Sequence, residues 1–83
     1  MTYFNSLLTL PLSNRALALI VSIGLALEAG EEMKAAIAVD QCSALSLKKT
    51  INELKGAIED GATLEQINDI TYVYKFILTC IKG

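Results

Sequence analysis

"NRALALIVSIGLALEAGEE", residues Asn14 to Glu32, is the oiliest stretch of the chain, and its reading decides the fold. Three readings compete: a membrane span, a secretory signal and a helix buried in a protein core. Twelve uncharged residues separate Arg15 from Glu28. As a helix they rise about 18 Å, well short of a hydrocarbon core of about 30 Å. Extension backwards meets Asn14 and Pro11, and extension forwards meets Glu31 and Glu32. The length rule therefore opposes a transmembrane span. A signal peptide needs an apolar region of about 7–15 residues, which this stretch satisfies. However, the first fifteen residues hold one cation, and "LEAGEE" carries no A-x-A cleavage pattern. The reading that remains is a helix buried nearly all round. Ala18, Ser22, Ala26 and Ala29 give it one face of small side chains, against which another backbone can approach closely. Leu17, Ile20, Val21 and Leu27 supply bulk elsewhere.

The rest of the chain agrees with an all-α domain. Apolar residues recur near every 3.6 positions, and no stretch alternates as a strand does. Residues 2–10 read as a short helix with Tyr3 or Phe4, Leu7 and Leu8 on one side. Pro11 disfavours helical geometry at Leu10 and ends it. Ser13 or Asn14 then caps the long helix. Leu19, Ile23, Ala26, Gly30, Met33 and Ile37 keep one register across Gly30, so a single buried helix is expected over 14–40. Gly30 weakens it by about 1 kcal/mol relative to Ala.

Ser43 or Ser46 caps the next helix, expected over 46–60. Leu47, Ile51, Leu54 and Ile58 form its apolar stripe. Lys49–Glu53 and Lys55–Glu59 are spaced as ion pairs on its solvated face. Gly61 suits a left-handed helix terminus, and Thr63 with Gln66 matches a capping box for a helix over 64–81. That last helix carries Ile67, Ile70, Tyr74, Ile77 and Ile81 on its main stripe. Val73, Phe76, Leu78 and Cys80 widen the apolar face beyond one seam, as in helices with two neighbours. The expected architecture is one domain, 1–83, a small self-associating helical bundle of three long helices plus a short N-terminal helix: the short helix, a long central helix and a C-terminal helical hairpin, forming a homo-oligomer.

Composition adds a second expectation. The chain has 83 residues, 53% of them hydrophobic and 19% charged. A domain this small buries only about 60–65% of its extended-chain surface. Part of the apolar surplus must face a partner, a second copy or a membrane.

Most chemistry is missing from the chain. It has no histidine, which removes the usual proton shuttle and the commonest transition-metal ligand. There is no P-loop, dinucleotide fingerprint or calcium loop. Glu28, Glu31 and Glu32 resemble half of a bundle metal site, but the E-x-x-H element is absent. No catalytic residue, cofactor or metal site is expected. Cys42 and Cys80 average to position 61, so the hairpin would place them at one level, as a thiol pair or a disulfide. Without a secretion signal the chain is read as cytoplasmic and both thiols as reduced.

"AIEDGATLEQINDITYVYK", Ala57 to Lys75, resembles a DNA-binding helix-turn-helix in its helix–glycine-turn–helix pattern. That resemblance would set Glu65 and Asp69 against phosphates and leave Gln66 and Asn68 to read bases. Net charge is −2, and Lys48–Lys49 is the only adjacent cation pair. No nucleic-acid partner is expected.

The functional expectation is a non-catalytic helical module that binds a protein partner or itself, as a small regulator, inhibitor or adaptor. Tyr3, Phe4, Tyr72 and Phe76 are the candidate partner-binding residues. The alternative is a peripheral membrane protein, or a regulator of a membrane protein such as a pore. Against it, the polar side of the oily segment carries Glu28, Glu31 and Glu32 rather than lysines.

Overall fold

The computed structural model describes residues 3–82. Five helical segments follow one another: a 3-10 helix (Asn5–Thr9), α1 (Asn14–Glu28), α2 (Glu32–Asp40), α3 (Ala44–Glu59) and α4 (Leu64–Lys82). No strand occurs among the described residues. The radius of gyration is 11.7 Å, close to the roughly 12 Å of a compact domain of this length.

The stretch expected as one helix is two. Gly30 has φ +73°, which ends α1. The Gly30 N–H bonds to Leu27 O at 3.1 Å and the Glu31 N–H to Ala26 O at 2.8 Å. These are the paired bonds of a Schellman terminus, and they satisfy carbonyls the helix leaves free. The chain then turns so that α2 packs on α1. The apparent stripe across Gly30 is therefore not a single face. Met33 is 80% exposed and Ile37 50% exposed, while Ala35 and Val39 point into the core. Nor is α1 buried all round. Ala16, Leu19, Ile20, Ile23 and Gly24 face inwards, and Val21 and Leu25 lie outside. Of its small-residue face, Ala18, Ser22 and Ala29 are exposed and Ala26 is half-buried against the core, so that face is largely open, with Ala18 and Ser22 bordering a cleft beside Ala38 and Gln41 of the α2 end.

Helices α1 and α3 also touch, and α4 contacts α2, α3 and the 3-10 helix. The central role expected of 14–40 thus falls largely to α4. Its Ile70, Val73 and Ile77 join Leu7, Ile20, Ile23, Val39 and Leu54 in one core. Thr50 is buried as well, its hydroxyl satisfied by Ser46 O at 3.1 Å.

The caps hold the ends. Ser13 Oγ accepts from Ala16 N at 3.2 Å, and Ser43 Oγ accepts from Ser46 N at 3.1 Å. The Ser43 cap starts α3 two residues before the expected 46. Thr63 and Gln66 form the expected reciprocal box, with bonds of 2.9 and 3.1 Å. The expected ion pairs on α3 do not form. Glu53 instead accepts from the Ser13 N–H at 2.6 Å and the Ser13 hydroxyl at 2.9 Å, which ties the start of α1 to α3. The Lys55 ammonium lies 5.6 Å from the Tyr74 ring centre. Lys34–Glu31, at 2.6 Å, is the ion pair found among the described residues.

The N-terminal segment is a 3-10 helix rather than an α-helix, with Leu10 extended before Pro11 (φ −77°, ψ 148°). Thr2, within the expected helix 2–10, lies outside the described residues. Phe4 has φ 62°, a strained conformation for a bulky side chain. Burial of its ring, 4% exposed, offsets that strain.

Candidate functional site: a groove along helix α4

One face of α4 carries Glu65, Asp69, Tyr72, Phe76 and Thr79, at spacings of 4, 3, 4 and 3. This seam lies beside the core stripe. Of the residues expected to widen the apolar face, Phe76 lies on this seam, Cys80 flanks it and Val73 is in the core. The seam borders three depressions. The first, about 270 Å³, is walled by Tyr3, Phe4, Asn5 and Ser6 opposite Glu65, Asp69 and Tyr72. The second lies over Tyr72, Lys75, Phe76 and Thr79. The third, about 440 Å³, runs between Phe76, Thr79 and Cys80 of α4 and Glu32, Ala36 and Asp40 of α2. The first two share Tyr72, and the last two share Phe76 and Thr79. They follow one another along fifteen positions of α4, or about 22 Å, and are together termed the groove.

The sequence builds this groove from the N-terminus upwards. Gly24 of α1 leaves room for the chain to pass directly over it. A Cβ there would lie 2.9 Å from Tyr3 O and 3.3 Å from the Phe4 ring. Phe4 is thereby seated beneath Tyr72, with ring centres 5.5 Å apart, and Tyr3 meets both rings edge-on at 5.8 and 6.2 Å. Such contacts contribute about 0.5–1.5 kcal/mol each beyond burial. Polar ties fix the same wall. Gln66 Nε2 donates to Ser6 O at 3.1 Å and to Thr9 Oγ1 at 3.3 Å, and the Ser6 hydroxyl donates to Asp69.

All four residues expected to bind a partner meet at this groove, but not in the same role. Tyr3 (42% exposed) and Tyr72 (49%) present surface at the rim. Phe76 is half-buried in the floor. Phe4 corrects the expectation: it is a core residue that supports the groove and offers a partner almost no surface. The Gly24 passage and the walls contributed by Ser6 and Ala36 were not foreseen. Gly24 alone gave no sufficient signal, since Gly56 also lies inside a helix and has nothing within 4 Å of an added Cβ.

The cysteines do not pair. Both are free and half-buried. The Cys42 thiol donates to Ala38 O at 3.5 Å and borders the α1–α2 cleft with Arg15 and Ser22. Cys80 opens into the α2–α4 end of the groove. The equal-level argument fails because Cys42 precedes the cap of α3 and belongs to the end of α2. Burial raises the Cys80 thiol above its ordinary pKa, and the carboxylates of Asp40 and Glu32 raise it further.

Glu28, Glu31 and Glu32 are exposed, with Glu31 paired to Lys34. Among the described residues, no three acidic or cysteine side chains are grouped to share a metal ion. Gln66, a would-be base reader, is already engaged in the cap and the N-terminal tie. No helix among the described residues is long and apolar enough to cross a membrane. No known protein family, curated protein or solved structure matches the chain.

Proposed function

We infer that this chain is a non-catalytic protein-interaction module, a small regulator, inhibitor or adaptor that receives a partner's helix along α4. One observation carries the reading: a row of adjoining depressions along α4, with Tyr3 and Tyr72 exposed and Phe76 half-buried. Binding energy concentrates at such aromatic anchors. A photo-crosslinking amino acid in place of Tyr72 tests the proposal in the cells that make the protein. A protein adduct at position 72, with none from the same group at exposed Lys49, is the expected result. Equal labelling at both positions, or adducts to lipid alone, would refute it.

Self-association is a second reading, and the outer face of α2 favours it. Met33 and Ile37 lie one turn apart and both are exposed. Light scattering on the wild type and on Met33→Glu tests it. A dimer lost in the variant supports this face as the contact; a wild-type monomer over the accessible concentration range removes the reading. The peripheral-membrane alternative is the weakest, since exposed Glu31 and Glu32 directly precede Met33 and oppose an anionic bilayer.

A further inference from the structure

The groove has a charge pattern that narrows its occupant. Glu65 and Asp69 stand at one end, Glu32 and Asp40 at the other. Between them lie Tyr72 and Phe76, with Lys75 as the one cation among the described residues that line it. Among the described residues that line it, four carboxylates stand against one lysine. Acids thus flank the aromatics at both ends.

We propose that the groove binds a basic amphipathic helix of about four turns, with apolar residues at its centre and lysine or arginine at both ends. This rests on the interaction reading above and specifies the partner's chemistry. Three features select that occupant. The 4-3-4-3 seam on α4 is the spacing at which one helix packs along another. The groove length of about 22 Å equals that of a helix of about fifteen residues. Carboxylates at both ends meet cations at both ends of such a helix, which steers association and fixes register.

The same features disfavour other occupants. A second copy bound across a twofold axis sets this patch against itself, carboxylates against carboxylates. Docking a neighbour's Lys48 and Lys49 would bring the solvated face of α3, which offers Leu45 as its one well-exposed apolar side chain to a surface that spans both Tyr72 and Phe76. Nucleic acid and anionic bilayers meet repulsion along the whole groove.

The test uses the full chain and two labelled synthetic helices of about fifteen residues. Both carry the same Leu/Ala face; one has Lys at its ends and the other Glu. Fluorescence anisotropy is expected to show the basic helix binding at least about tenfold tighter, with the preference falling as salt rises. Neutralising Glu32→Gln, Asp40→Asn and Glu65→Gln together, all at exposed positions, is expected to remove most of that preference. Phe76→Ala is expected to weaken the basic helix about tenfold or more at unchanged charge, with the fold checked by circular dichroism. Equal affinity for both helices, a preference that survives neutralisation, or no binding by either would overturn the proposal. A doubled solution mass with the groove protected would also overturn it, in favour of a second copy. If position 72 still crosslinks to a protein in cells while the basic helix fails to bind, the partner chemistry is wrong and the interaction reading stands. If neither occurs, both fall.

Discussion

Gly24 of α1 lies directly under the Tyr3 carbonyl, so that a Cβ added at Gly24 would sit 2.9 Å from that oxygen. A glycine inside a helix ordinarily lowers stability relative to alanine, by about 0.5–1 kcal/mol. Here the tertiary contact reverses the sign. Gly24→Ala is expected to destabilise by about 1–3 kcal/mol, through overpacking against backbone. Gly56→Ala, in α3 with nothing within 4 Å of its new Cβ, is expected to stabilise by about 0.5–1 kcal/mol. Thermal melts compare the two directly, at roughly 4–8 °C per kcal/mol. A stabilised Gly24→Ala protein would mean that the chain does not cross α1 there.

Gly30 and Gly61 both adopt positive φ, at +73° and +97°. Neither has an atom within 4 Å of a built Cβ, so backbone strain alone opposes substitution. Replacing either with Ala is expected to cost about 1–2 kcal/mol. Asn at the same positions should be milder, because it tolerates the left-handed region. If Gly30→Ala leaves the midpoint of urea unfolding unchanged, residues 14–40 form one helix after all.

Gln66 does two tasks with one amide. Its Oε1 caps Thr63 N and its Nε2 holds Ser6 O. Gln66→Ala is expected to lose about 1–2 kcal/mol, the upper part of the range for a lost cap. Gln66→Glu keeps the acceptor and removes the donor. It should therefore leave the start of α4 capped while hydrogen exchange speeds up in residues 5–9. Unchanged exchange there would show that the N-terminal wall is held by its rings alone.

Cys80 should resist alkylation. Its raised pKa leaves less thiolate at a given pH than in the unfolded chain. In a Cys42→Ser background, the iodoacetamide rate profile should shift to higher pH on folding. Glu32→Gln and Asp40→Asn should move it back part of the way. The sign for stability follows from the folded thiol holding its proton longer. This contribution is intact below the ordinary thiol pKa and is lost as pH rises through the folded value.

Much of this fold is legible locally. Ser13, Ser43, Pro11, Gly61 and the Thr63–Gln66 box all act as their sequence context implies, because caps and turns depend on a few neighbouring atoms. Gly30 shows the limit of periodicity. "ALEAGE" from Ala26 and "AIEDGA" from Ala57 share an A-x-E-x-G pattern and end in the same hydrogen-bonded terminus. The apolar register across Gly30 masked a local signal that was equally clear at Gly61. What was not legible depends on distant pairs. Glu53 turns to Ser13 forty residues away, and Phe4 is buried only because Gly24 makes room for it. The site shows the same division: the aromatic residues stand out in the sequence, while the groove arises from the wall that the N-terminus places beside α4.

The two glycine termini also set an order of assembly. Ala29–Glu31 joins α1 to α2 and Asp60–Thr63 joins α3 to α4, so each pair closes over a very short loop. The N-terminal wall instead meets α4 across some sixty residues, as Ser6 does with Asp69. Chain entropy favours the local closures first, which makes this wall the expected last piece to dock and the first to open. Hydrogen exchange that opens residues 5–9 before α3 would bear this out; simultaneous opening would contradict it. The recognition surface would then exist only in the finished fold, so an incompletely folded chain would be silent to its partner.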